Sequence, residues 1–236
     1  AFKITTAGTP RLLETPYSEG GTVHPYLLEM RTPLLGYRYL LGETPYFRAM
    51  EREENPVIYG SNDLISFDLI PDIEQPLGHP PPVLNTFNSD ICFSYDPRNG
   101  EFVCLWRQAD TNVSPGLISF RYRSTWNGFD WTDEESFSKD ADGLAFSTAN
   151  DGKAQSILYD PAADVWHMWG VRETGILSHW TGPSYKGPWG NRVDINFRTL
   201  FGLSLWHCEV KWLGSRFAIL AESVGITSQV RLGLSS

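Results

Sequence analysis

No stretch of the 236-residue chain approaches the ~18 consecutive apolar residues of a membrane-spanning helix, so insertion by a helix is excluded. Basic residues are also scarce. Lys and Arg total 19 against 28 Asp and Glu, a net charge of −9, which excludes a broad surface for nucleic-acid backbones. The three cysteines, Cys92, Cys104 and Cys208, are odd in number and show no C-x-x-C spacing. They support neither a disulfide framework nor a zinc knuckle, and Cys92 and Cys104 read as small buried hydrophobes. Glycine-rich phosphate loops and a Gly-x-Ser-x-Gly elbow are missing too. The N-terminal Ala1-Phe-Lys-Ile-Thr-Thr6 shows no charged-then-apolar secretory pattern. The compartment stays open, with an extracellular or surface-exposed location favoured. No cofactor is expected. What is abundant is aromatic residues (14%), 21 Gly and 16 Pro, a mixture that favours short strands and turns over long helices.

The chain repeats a phrase: an apolar strand, a polar turn, then an aromatic-rich strand. It reads Asp90 to Trp106 around Asp96-Pro97, then Gln155 to Trp169 around Asp160-Pro161, then Cys208 to Leu220 around Gly214. A looser first copy runs Val23 to Met30, a polar turn, and Tyr37 to Leu41. Pro fixes φ and Asp bonds the backbone ahead of it, so each Asp-Pro pre-sets a hairpin turn. Further strands are expected after each hairpin, at Pro56–Ser61 with a fourth beginning near Asp63–Phe67, at Leu117–Ser124 with Phe129–Trp131, and at Gly175–Trp180. Four antiparallel strands repeated radially describe a β-propeller blade. A β-sandwich would explain short strands but not their ordered recurrence. The expected fold is all-β, a five-bladed-type β-propeller of four-stranded antiparallel blades, with about four blades at roughly 20–76, 83–137, 150–197 and 203–236 in one domain. Pro71 to Pro82 reads as a crossover between blades, and the acidic run Asp130 to Glu135 as a solvated edge.

The phrases Ser156-Ile-Leu-Tyr-Asp-Pro-Ala-Ala-Asp-Val-Trp-His-Met-Trp169, Glu54-Asn-Pro-Val-Ile-Tyr-Gly-Ser-Asn-Asp-Leu-Ile-Ser-Phe67 and Trp206-His-Cys-Glu-Val-Lys-Trp212 resemble those of five-bladed propeller glycoside hydrolases. The relatives implied are the arabinanase and β-xylosidase group (family 43) and the invertase and fructanase group (family 32). The resemblance covers roughly residues 20 to 236 and rests on blade-building phrases.

In a propeller the first strand of each blade lines the axis, so its opening residues converge on one pocket. Those positions are His24, Asp90, Lys153 with Gln155, and His207 with Glu209. The resemblance implies an Asp in the first blade, a substrate-orienting Asp in the second and a Glu in the third. Asp90 matches. His24-Pro25 stands where Asp-Pro is implied, and Lys153-Ala-Gln155 where the Glu is implied. Glycoside cleavage needs two carboxyl groups, so Glu209 and Asp151 become the substitute catalytic candidates beside Asp90. Trp206 and His207 suit sugar binding, the indole stacking on an apolar sugar face while the imidazole bonds a hydroxyl. His24, Gln155 and Lys153 complete the substrate-binding set. His24, Asp90 and His207 are suitable metal ligands, but their wide spacing is a weak signal and no metal site is assigned. His167 and His179, set among tryptophans, read as structural.

Two functions follow. One is a glycosidase-like enzyme acting on an oligo- or polysaccharide in the axial pocket. The other is a non-catalytic carbohydrate-binding, adhesive or structural module of a larger assembly such as a virion or cell surface. The turn anchors Arg31, Asp96, Asp160 and Leu213 lie 65, 64 and 53 residues apart, so five units need roughly 300 residues. The expectation is an incomplete ring, or one completed by a partner chain.

Overall fold

Turn chemistry sets the strand order. A computed structural model describes residues 13–17, 21–113, 116–146, 153–173, 175–202, 204–214, 216–224 and 230–234. The Asp96 carboxylate accepts from the Arg98 amide at 3.0 Å and Gly100 takes φ 69°, joining β5 (Thr86–Asp96) to β6 (Glu101–Asp110). The Asp160 carboxylate accepts from the Ala162 amide at 2.8 Å and joins β9 (Lys153–Asp160) to β10 (Val165–Glu173). These turns follow the Asx geometry that Asp-Pro favours. In the first hairpin the turn lies later than its sequence suggests. β1 (Thr22–Leu34) continues past Met30, and Leu35 and Gly36, both at positive φ, reverse the chain into β2 (Tyr37–Pro45). A two-residue loop of that handedness matches the strand twist and overrides the polar stretch before it.

Each unit is an antiparallel meander. β1, β2, β3 (Val57–Ser61) and β4 (Asp68–Leu69) form the first sheet. β5, β6, β7 (Leu117–Thr125) and β8 (Glu135–Phe137) form the second. β9, β10, β11 (Ile176–Gly182) and β12 (Gly190–Asn196) form the third. β13 (Ser204–Trp212), β14 (Phe217–Val224) and β15 (Val230–Leu234) form the last, of three strands among the described residues. The fold is all-β, with blades of the propeller type and one short helix, α1 (Phe197–Phe201). No helix among the described residues is long and apolar enough to cross a membrane.

The outermost strands differ from expectation. β4 begins at Asp68, because the Asp63 side chain accepts from the Ile65 and Ser66 amides and holds Asp63–Ser66 in a turn. β8 begins at Glu135, because Asn127 accepts from the Phe129 and Asp130 amides and turns that segment outward. The acidic run therefore ends inside a strand.

The inner strands β1, β5, β9 and β13 lie side by side. The Val210 amide donates to Ser156 Oγ at 3.1 Å, tying β13 to β9. The Lys211 ammonium lies 2.9 Å from the Leu27 carbonyl, 2.8 Å from Glu209 and 3.7 Å over the Tyr26 ring, tying β13 to β1. Between blades sit Phe93, Trp106, Trp166, Trp180 and Trp189, all fully buried, with Cys92 and Cys104 beside them as free thiols. The third and fourth blades meet through Trp169, against which His167 and His179 stack, and Phe217.

Gly42 faces Phe93 and Ile91 so closely that an added Cβ would lie 2.6 and 2.8 Å from their side chains. Both neighbours are buried, so Gly42→Ala overpacks the blade contact and should cost about 1–3 kcal/mol. Thermal unfolding should fall by about 2–4 °C per kcal/mol, and an unchanged midpoint would refute this packing. Burial, then the adjacent His167, pulls His179 down to about 4. Its native affinity for protons is thus below its unfolded value of about 6.5, so the neutral form stabilises the fold. That stability is complete above about pH 6.5 and drains as pH falls toward 4. A His179→Phe variant should show a flatter decline across that window in urea melts, and parallel curves would remove His179 as the cause.

Candidate active site

Each inner strand breaks register near its start, and the four breaks lie at one end of the propeller axis. In β1 pairing slips between Val23 and Tyr26, where His24 sits at φ 58° before Pro25. In β5 it slips between Ser89 and Ile91, where Asp90 sits at φ 49°. In β9 the slip lies between Gln155 and Lys153, and in β13 between Leu205 and His207. Bulges re-aim side chains out of the ladder, and non-glycine residues at positive φ persist only where the surroundings enforce them. Here the four bulges frame a cavity of about 510 Å³ lined by His24, Asp90, Gln155, Trp206, His207 and Glu209, with Glu222 at its side. Asp90 does not open its strand, as the sequence suggested; it stands four residues in, at the bulge.

Asp90 is 3% exposed and is the centre of the cluster. Arg107 Nε, from β6, lies 2.9 Å from its Oδ2. Its Oδ1 faces His207 Nε2 at 3.3 Å and His24 Nε2 at 3.4 Å, and the two imidazoles meet edge to face at 4.6 Å. Burial alone would push the Asp90 carboxyl up, but Arg107, His24 and His207 outweigh it and hold the group well below the usual carboxylate range. Burial lowers His24 below the ordinary imidazole value despite the nearby Asp90 charge, which favours the neutral ring.

Behind each imidazole stands an orienting group. His24 Nδ1 is 3.2 Å from both Ser89 Oγ and Thr44 Oγ1, and Ser89 donates to Glu54 Oε2 at 2.5 Å. Burial raises Glu54 to about 7 against that hydrogen bond. His207 Nδ1 is 3.4 Å from Glu222 Oε2. Both ring nitrogens of His207 therefore face carboxylates, which only accept, and a single N–H can serve one of them while the other nitrogen sets a lone pair against an oxygen. A cation between Nε2 and Asp90 Oδ1 would satisfy that side and leave the proton on Nδ1 for Glu222. Ligands ~2.1 Å from a tetrahedral ion lie ~3.4 Å apart, close to both nitrogen–oxygen distances here. His24, Asp90 and His207 are the cluster of possible metal ligands among the described residues. The sequence assigned no such site because its members are far apart along the chain.

The remaining candidates fall differently. Glu209 lines the cavity but is held by Lys211. Trp206 presents a 38% exposed indole at the rim. Gln155 donates its amide to the Asp90 carbonyl. Lys153 opens β9, and Asp151 lies outside the described residues. Arg107, Glu54, Ser89 and Glu222 were not foreseen. Arg107 carried a usable signal, a guanidinium directly after the apolar run Phe102 to Trp106 and within the same strand, where a buried charge requires a partner.

Arg107→Met strands a buried carboxylate and should cost about 3–5 kcal/mol, read by urea unfolding. Adding Asp90→Leu should recover most of that loss. If the double variant is no more stable than Arg107→Met, the pairing is not what holds the site.

No family model matches the chain. A curated relative, the A type blood N-acetyl-alpha-D-galactosamine deacetylase of Flavonifractor plautii, is 22% identical over 85% of this chain. The alignment spans 30% of that relative's length, under a third of it. Among solved structures, an N-acetylgalactosamine deacetylase from F. plautii in complex with blood group B trisaccharide superposes with a TM-score of 0.71 at 18% identity. The match covers 94% of this chain and 68% of that one. The Bacteroides ovatus xyloglucan protein GH43B gives 0.62 at 14% identity, over 95% and 41% of the two chains. An alpha-L-arabinanase of Penicillium chrysogenum complexed with arabinobiose gives 0.58 at 11%, over 91% and 57%. The chain has the fold of the five-bladed propeller glycoside hydrolases, with His24-Pro25 and Lys153-Ala-Gln155 where the resemblance calls for carboxylates.

Proposed function

We propose that the chain hydrolyses an acyl substituent on a glycan in its axial pocket, removing the acyl group of an N-acylated amino sugar with a divalent cation held by His24, Asp90 and His207. The carrying observation is the pair of imidazole Nε2 atoms turned onto one buried carboxylate oxygen. The similarity to a protein described as an N-acetylgalactosamine deacetylase favours amide hydrolysis over glycoside cleavage. So does the state of the carboxylates, since Asp90 is locked to Arg107 and Glu209 is paired with Lys211, leaving neither free for the two-carboxyl mechanism.

When bound, the ion would polarise the acyl carbonyl and lower the pKa of a coordinated water. The chain supplies the rest. Asp90 stays ionised because Arg107 and the imidazoles hold it so. Ser89 and Thr44 orient His24, and Glu222 orients His207, the outer support that tunes such ligands. Trp206 offers an apolar face to the pyranose. In the net reaction the carbonyl carbon–nitrogen bond breaks, a carbon–oxygen bond forms from water, and the amine leaves with a proton.

Chelator-stripped protein titrated with Zn²⁺ in a calorimeter should bind one ion per chain, and His207→Ala should abolish that binding. The loaded protein should release acetate, and no reducing sugar, from glycans ending in N-acetylgalactosamine. Glu222→Gln, which removes the support behind His207, should weaken the ion by about 10–100-fold. An unaffected titration in His207→Ala would overturn the site, and glycan binding without release of acetate or sugar would assign a carbohydrate-binding module instead.

A further inference from the structure

Two consecutive residues of β5 are bonded to two consecutive residues of the segment joining β2 to β3. Asn88 Nδ2 donates to Asn55 Oδ1 at 2.8 Å, and Ser89 Oγ donates to Glu54 Oε2 at 2.5 Å. Asn55 in turn donates to the Arg52 carbonyl at 2.8 Å. Glu54, 5% exposed, is thereby fixed beside a buried hydroxyl. Its Oε2 lies 3.7 Å from His24 Nδ1, too far for a direct hydrogen bond, so Ser89 is the link between them.

Bond direction then decides where the His24 proton lies. A neutral imidazole has one N–H, and a hydroxyl has one proton to give. His24 Nδ1 faces two hydroxyl oxygens, Ser89 Oγ and Thr44 Oγ1, both at 3.2 Å. Ser89 gives its proton to Glu54, and Thr44 donates to the Val23 carbonyl at 3.3 Å. Each hydroxyl therefore turns a lone pair toward Nδ1, which calls for the ring proton there. On the other side of the ring, Nε2 stands 3.4 Å from Asp90 Oδ1, long for a hydrogen bond.

We infer that Glu54 is a positioning residue that acts through Ser89 to keep the His24 proton on Nδ1, so that the Nε2 lone pair is presented to the ion. The ion itself rests on the hydrolytic reading above; the tautomer does not. Without an acceptor at position 54, the Ser89 hydroxyl is released to donate to Nδ1. The ring proton then moves to Nε2 and stands between the ring and Asp90, where the ion belongs. Partners behind a ligating imidazole commonly set its tautomer in this way.

The test reads the tautomer of the metal-free chain by long-range ¹H–¹⁵N NMR of its five histidines, with His24→Asn identifying the His24 signals. It is made at pH 8, above the value of about 7 to which burial raises Glu54, so that the carboxylate only accepts. Wild type should carry the His24 proton on Nδ1, and Glu54→Met, which removes the acceptor, should move it to Nε2. The same variant should weaken Zn²⁺ by about 10–100-fold in calorimetry. In a Ser89→Ala background, Glu54→Met should leave the tautomer unmoved and the Zn²⁺ affinity within about twofold. Thermal melts establish that each variant is folded, and the wild-type spectrum tests the inference without any variant. Wild type protonated at Nε2, an unmoved proton in Glu54→Met, or an equal shift in the Ser89→Ala background would overturn it. The expected tautomers in a chain that binds no Zn²⁺ would leave the proton assignment standing and reject the metal-dependent reading.

Discussion

One buried carboxylate organises the axis. Asp90 has lost nearly all its water, and an ion in that position is tolerated only when opposite charge and hydrogen-bonding groups surround it. Arg107 supplies the charge from the next strand of the same blade, while the first and fourth blades each contribute an imidazole. The third blade joins through Gln155, which holds the Asp90 carbonyl. All four inner strands thus converge on one residue, and each leaves its ladder register to do so. Backbone strain at His24 and Asp90 is therefore coupled to the electrostatics of the site.

Much of the framework was readable from the chain alone. The Asp96-Pro97 and Asp160-Pro161 turns carry their mechanism in two residues, and the apolar runs around them are buried as their composition demands. Asp90 could be picked out because an acid beside an apolar strand needs a reason to be there, and His207 because a Trp-His pair opening an inner strand suits sugar binding. What could not be read depends on register. A bulge moves a side chain to another face without altering the hydrophobic pattern, so the convergence of His24, Asp90 and His207 is invisible to spacing. Glu54 and Glu222 lie in segments that look like ordinary polar loop and strand, and they matter only because His24 and His207 turn toward them. The outermost strands were misplaced for a similar reason: local side-chain bonds at Asp63 and Asn127 decide where the turn ends.

The propeller scaffold of glycoside hydrolases is retained while the side chains at its axis differ from those the resemblance implies. An imidazole stands in place of one expected carboxylate and an amide in place of another, and neither can serve as a carboxyl group of the two-carboxylate mechanism. Fold alone would assign a glycosidase; the groups on the bulges favour metal-assisted acyl hydrolysis.

The most direct measurement is anomalous X-ray scattering from crystals soaked in Zn²⁺, collected above and below the zinc absorption edge. The account predicts a single strong peak about 2.0–2.2 Å from His24 Nε2, Asp90 and His207 Nε2, with Arg107 still bonded to the other Asp90 oxygen. A peak elsewhere on the chain, or none at the axis with the imidazoles unmoved, would contradict it.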